Sequence, residues 1–152
     1  MINGQGLGEV SKLKYGLFPM SFNGCEVIAV YNALKYLGKS FDIYEVLRFM
    51  KRYCMFFGLF GGNIYCLDKA LKHFGTESEK SKSFSACKAF IISSWTGKRF
   101  LSTVHTVFCV RTTNGIRVYN RYNNCPHSVI YKTDDIKNIF GGNKPLVVYC
   151  IK

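Results

Sequence analysis

The apolar residues of this chain change period once, near the middle, and that change limits the folds open to it. Up to about residue 75 they recur at helical spacing, and from residue 89 onward they gather in short runs rich in branched and aromatic side chains. From Cys25, the residues Val27, Val30, Tyr31, Leu34 and Leu37 share one helical face, widened by Ile28, Ala29 and Ala33, until Gly38 ends the segment. Asp42 with Glu45 three residues later forms a capping box ahead of Ile43, Val46, Leu47 and Met50, a second helix ending near Tyr53. Asn63 can cap a third, whose Ile64, Leu67, Ala70, Leu71 and Phe74 precede Gly75.

The later runs read as strands: Ala89–Ser94, Val104–Val110, Ile116–Asn120, Val129–Lys132 and Leu146–Ile151, with a short capped helix from Thr133 to Phe140. Helices followed by strands indicate an α+β protein. A chain of 152 residues fits one domain, with a helical half at about 20–75 and a sheet half at about 87–152.

Chemistry concentrates at two places on this frame. Cys25 stands where a buried helix begins, and unpaired N–H groups with the positive dipole end stabilise a thiolate there. His105 stands on a strand that turns back toward Asn120, Asn123 and Asn124. Cysteine is among the most buried residue types and a strand histidine is ordinary, so neither residue alone marks a site. Together they give the order of a Cys-His-Asn nucleophilic centre, in which an imidazole takes the thiol proton and an asparagine fixes the ring tautomer.

The turn decides which asparagine reaches the ring. If residues 112–115 form a four-residue loop, Arg111 pairs with Ile116, His105 lies opposite Tyr122, and Asn120 and Asn124 are diagonal neighbours. If Asn114-Gly115 alone makes the turn, His105 lies opposite Asn124 and Asn120 moves out of reach. Asn123 points to the other face unless a bulge intervenes.

Other features read as structure. The glycines Gly58, Gly61 and Gly62 around the aromatic run at 56–60 serve either as the rim of a cleft or as a helix connection. His73 favours a helix dipole end, and Cys125-Pro126-His127 lacks the second ligand pair of a zinc site. Seven cysteines without a CxxC pair suit reduced thiols and a cytoplasmic protein. The first 16 residues, interrupted by glycines, Glu9 and lysines, do not read as a secretion signal, and the longest apolar runs are far below the ~20 residues of a membrane span. The 21 basic against 9 acidic residues give +12, a field suited to an anionic partner. These charges are spread along the chain, without a nucleic-acid module signature, and read as a solvated surface.

Asn23-Gly24-Cys25-Glu26-Val27-Ile28-Ala29, Tyr36-Leu37-Gly38, Gly61-Gly62, Leu67 to Gly75, His105-Thr106-Val107-Phe108 and Val118-Tyr119-Asn120 together resemble the papain-like cysteine peptidases. Closest are the peptidase domains of peptide exporters that process double-glycine leaders. The resemblance covers about residues 19–124. It implies a papain-like α+β fold, with N-terminal helices packed on a C-terminal antiparallel sheet, and a peptide or protein substrate. Catalytic residues would be Cys25, His105 and Asn120, with Asn124 as the alternative orienting residue and neither metal nor cofactor. The family's oxyanion glutamine, six residues before the nucleophile, falls on Pro19, and the only glutamine, Gln5, is far upstream. The Asn23 side chain and the Cys25 backbone N–H are the nearest replacements. The position before the cysteine, commonly Asp in exporter peptidases, is Gly24. A papain-like module that binds a peptide or anionic partner without catalysis, and a transglutaminase-like acyl transferase, are the alternatives.

Overall fold

The structure is a computed structural model that describes residues 1–81, 87–97 and 102–152. A short hairpin, β1 (Lys14–Tyr15) with β2 (Phe18–Pro19), leads into four helices: α1 (Met20–Asn23), α2 (Cys25–Tyr36), α3 (Ile43–Met50) and α4 (Leu67–His73). Strands β3 (Ser78–Lys80), β4 (Ala89–Trp95), β5 (Val104–Thr112), β6 (Gly115–Tyr119), β7 (Val129–Tyr131) and β8 (Pro145–Ile151) form one sheet in the order β3-β8-β4-β5-β6-β7. Every neighbouring pair is antiparallel. The α+β class expected from the pattern is what is observed.

Local chemistry explains the helices. The capping box forms, with Glu45 N–H donating to Asp42 Oδ1 and Asp42 N–H to Glu45 Oε2, both at 2.8 Å. Asn63 Oδ1 accepts from Tyr65 N–H at 3.0 Å and starts a 3-10 turn, Ile64–Cys66, that becomes α4. The helix expected from Thr133 is instead a 3-10 segment, Ile136–Phe140, started by Asp135. His73 closes α4 stacked on Phe49, with ring centroids 3.6 Å apart.

Period-two alternation divides the sheet between two cores. Ala89, Ile91, Phe108, Val110, Val147 and Tyr149 face the helices, where Val27, Ile28, Val30 and Leu34 of α2 are completely covered. Phe90, Ile92, Val107, Cys109, Ile116, Val118 and Val148 face the opposite way, under Ile136, Ile139 and Phe140. Helix α2 is therefore buried almost all round, which makes its polar residues informative.

Cys87 and Cys150 are joined in a disulfide, and the other five cysteines are free. This corrects the expectation of seven reduced thiols. The partners are 63 residues apart and meet because β4 and β8 are sheet neighbours, a relation that cysteine spacing does not carry. Among the described residues no helix is long and apolar enough to cross a membrane.

Candidate active site

Helix α2 begins at Cys25 directly after α1, with Gly24 between them. A Cβ on Gly24 would lie 2.7 Å from Met20 Cβ, so this junction requires glycine. Cys25 points into a cleft of about 1130 Å³ between the helices and the end of the sheet, and His105 of β5 lines the same cleft. The cleft walls are largely apolar, with Phe22, Met55, Phe60, Ile64 and Trp95 among them.

The register of β5 and β6 is that of the longer turn: Arg111 pairs with Ile116 and Phe108 with Tyr119, and Thr112 pairs with Gly115 as well. The ladder ends at Tyr119 because Asn120 is left-handed, with φ 58°. Asparagine tolerates that conformation better than other residues with a Cβ. The backbone N–H of Thr106, the residue after His105, is close enough to the Cys25 sulfur to favour its charged form.

The left-handed turn also changes what Asn120 offers. Its backbone carbonyl, and not its side chain, accepts from His105 Nε2 at 2.7 Å. A carbonyl oxygen can only accept, so Nε2 carries the proton and Nδ1 is the basic nitrogen of the neutral ring. The Asn120 side chain is used elsewhere: Oδ1 accepts from Gln5 N–H at 2.9 Å and Nδ2 donates to Gln5 Oε1 at 3.1 Å. The expected side-chain contact is thus corrected to a main-chain one. Asn124 is exposed and, among the described residues, makes no hydrogen bond to the ring.

Asn23 does not hold a free donor beside Cys25. Both hydrogens of its amide are engaged, Nδ2 donating to Tyr15 O at 2.8 Å and to Gly58 O at 2.7 Å. It pins the loop at 55–62 to the β1–β2 hairpin, and this corrects its reading as oxyanion donor. Gln5 lines the cleft as well and is 2 % exposed. Its Nε2 donates to Ser21 O at 3.3 Å. The N-terminal strand of chain is carried there by Asn32 of α2, which accepts from Ile2 N–H and donates to Ile2 O, and by Asn3 Oδ1, which accepts from Asn120 N–H. Sequence separation hid Gln5; its flanking Gly4 and Gly6 were the available signal.

Glu26 is the other residue missed. An acid in the first turn of a helix ordinarily complements the dipole from solvent. Here it is 3 % exposed and lines the cleft, and burial raises its carboxyl to about 7 against the pull of its own N–H, the Cys25 thiol and the Gly62 N–H. Among the described residues its buried Oε2 has no hydrogen-bond partner.

The electrostatics work against the expected thiolate. Burial, then the Glu26 carboxylate, push the Cys25 thiol well above its ordinary range, outweighing the N–H donors of Thr106 and Glu26. Most of the His105 ring is enclosed while an edge stays open to the cleft, and burial with the nearby Arg121 charge lowers it to about 4 despite the Asn120 carbonyl. At rest the site holds a neutral thiol and a neutral imidazole. Cys125, by contrast, lies in the loop expected for it, its thiol donating to His127 O at 3.5 Å.

No family model matches the chain, and no curated protein matches it.

Proposed function

We propose that the chain is a papain-like cysteine peptidase or amidase that cleaves a peptide through Cys25 and His105. One arrangement carries this reading: a cysteine at the start of a buried helix and a histidine of fixed tautomer face one apolar cleft. Cys25 attacks the carbonyl carbon, His105 serves as base and then as acid, and Asn120 holds the ring through its carbonyl. Gln5, brought to the cleft wall, takes the oxyanion role that the family gives to a glutamine, together with the Cys25 N–H. The apolar walls suit bulky side chains of a peptide, and the +12 charge suits an acidic segment of it. A transglutaminase-like acyl transfer would use the same side chains with another acceptor.

A second reading, a papain-like module that binds without catalysis, draws on one observation: burial keeps thiol and imidazole neutral. Labelling by a peptidyl electrophile directed at thiols separates the two. The peptidase reading expects Cys25 to label first among the free thiols, and Cys25→Ser and His105→Ala to abolish it in folded protein. Equal labelling of the five free thiols would favour the binding module. The cytoplasmic placing rests on the free cysteines, and the Cys87–Cys150 bond speaks against it.

A further inference from the structure

Apolar side chains project beside the mouth of the cleft from two adjoining turns. Leu17 stands at the tip of the β1–β2 hairpin, and Phe56, Phe57, Leu59 and Phe60 form the loop next to it, with exposures from 48 % at Leu59 to 78 % at Phe57. Leu17 N–H donates to Phe57 O at 2.8 Å, and the rings of Phe56 and Phe60 meet edge-on at 5.2 Å, so hairpin and loop present one surface. Phe56 and Phe57 are held in the left-handed region, at φ 46° and 55°, where bulky residues are uncommon. The loop is closed by its own backbone: Gly58 N–H donates to Met55 O at 2.8 Å, Leu59 N–H to Phe56 O at 3.0 Å and Gly61 N–H to Gly58 O at 3.2 Å. Lys14 leads into the hairpin tip, Lys51 and Arg52 lead into the loop, and all three are exposed. Over residues 10–25 and 46–67 the sequence has five basic residues, Lys12, Lys14, Arg48, Lys51 and Arg52, and no acidic one.

We propose that this face docks on an anionic lipid bilayer, with Leu17 and the phenyl rings entering the headgroup layer and Lys14, Lys51 and Arg52 on the lipid phosphates. Exposed apolar side chains flanked by basic ones match the boundary of such a bilayer, apolar beneath and negative above. Lipid excludes unpaired backbone groups, and the closed hydrogen bonds of the loop meet that demand. A substrate in the cleft does not account for the patch, because Phe56 and Phe57 lie outside the cleft lining. A second copy of the chain fits poorly, because two copies of one face would set Lys14, Lys51 and Arg52 against their own kind. Met55, Leu59 and Phe60 belong to the loop and to the cleft wall alike, so docking sets the mouth of the cleft at the lipid surface. Under the peptidase reading the substrate is then a peptide held at that surface; lipid binding itself does not depend on that reading.

Co-sedimentation of the full chain with vesicles of phosphatidylcholine, with and without phosphatidylglycerol, tests this. The parent is expected to sediment with the mixed vesicles and to be released as salt rises. Phe56→Asn combined with Phe57→Asn suits the left-handed turn and should weaken binding about 100-fold, tenfold for each ring. Lys51→Gln should weaken it about fivefold. Lys137→Gln makes the same change of charge on the Ile136–Phe140 segment, across the sheet from the helices, and should leave binding unchanged. Cys25→Ser should bind as the parent does, so failure of the nucleophile reading and failure of this proposal are separate results. A parent that does not bind the mixed vesicles overturns the proposal. So does binding that survives the double substitution, or binding that Lys137→Gln lowers as much as Lys51→Gln, since net charge alone would then suffice. Self-association of the parent in sedimentation equilibrium, lost in the double variant while vesicles go unbound, would give the face to a second copy instead. If the double variant does not fold, Leu17→Ser takes its place as the apolar arm, with about a tenfold loss expected.

Discussion

The floor of the cleft and its rim are held in unfavourable states of opposite kinds. On the floor, Cys25, Glu26 and His105 are ordinary in backbone and costly in electrostatics, because burial removes the water that would stabilise their charges. On the rim, Phe56 and Phe57 carry no charge and are costly in backbone, with φ of 46° and 55° and exposures of 69 % and 78 %. Bulky residues rarely accept that conformation. Asn23 connects the two regions, its amide tying Gly58 of the rim to Tyr15 beneath the floor. Backbone carbonyls of the rim are thus fixed inward: Leu17 N–H also donates to Phe57 O at 2.8 Å, and the phenyl rings are turned out.

If the floor holds the chemistry and the rim only shapes the entrance, the largest effect belongs to Cys25. Cys25→Ser is expected to lower acylation by a peptidyl electrophile by several orders of magnitude with folding unchanged, as read by labelling rate and far-UV circular dichroism. Labelling at the parental rate would move the reactive thiol elsewhere and remove the distinction between the regions.

The next effect sharpens the electrostatic half of the comparison. Glu26, raised from 4.5 to about 7, binds more protons folded than unfolded, so its contribution to stability falls as pH rises through that window, by roughly 3 kcal/mol. His105, lowered from 6.5 to about 4, binds fewer protons folded, so its contribution rises over its own window, less what solvent screens at its open edge. The windows overlap between pH 4.5 and 6.5, where the two slopes oppose one another. Denaturant unfolding across that range should therefore be nearly flat for the parent, rise with pH for Glu26→Gln and fall for His105→Gln. Equal slopes in all three would mean that neither group is held as described.

Much of this frame is readable from residue order, because local rules dominate it. The capping box at Asp42 and the start of α2 at Cys25 each depend on a few neighbouring residues, while the pairing of Arg111 with Ile116 was one of two turns the residues allowed. What was not readable depends on long-range closure or on one dihedral. A single left-handed residue at 120 exchanges a side-chain acceptor for a carbonyl. Gln5 meets Asn120 across 115 positions. Glu26 looks like a first-turn acid until Gly61 is laid over it. Asn23 looked like a free donor for want of any sign that Tyr15 and Gly58 would claim both its hydrogens.

That last point yields a stability prediction that bears on both regions. Asn23→Ala removes two donors and leaves the carbonyls of Tyr15 and Gly58 to find others, at a cost of about 2 kcal/mol in urea unfolding. Because it loosens the rim, it should also raise KM for an apolar peptide more than it lowers kcat. Asn124→Ala, at an exposed position away from the ring, should move neither quantity measurably. A loss in the second variant with none in the first would break the assignment of Asn23 as the tie between floor and rim.

The smallest expected effect is a gain. Phe57 has φ 55° and ψ 21°, and at 78 % exposure its ring contributes little packing to be lost. An L residue in this region costs about 1–2 kcal/mol, a cost that asparagine partly escapes by local hydrogen bonding. Phe57→Asn should therefore stabilise the fold by about 0.5–1 kcal/mol, measured as a shift of the urea midpoint at constant slope. Replacement by glycine would relieve the same strain but loosen the unfolded chain, and should gain less. Acylation of Cys25 should be unaffected, since Phe57 does not line the cleft. A stabilised variant whose KM for the peptide rises would show that substrate extends over the rim, and the strained phenyl would then belong to recognition as much as the floor belongs to chemistry.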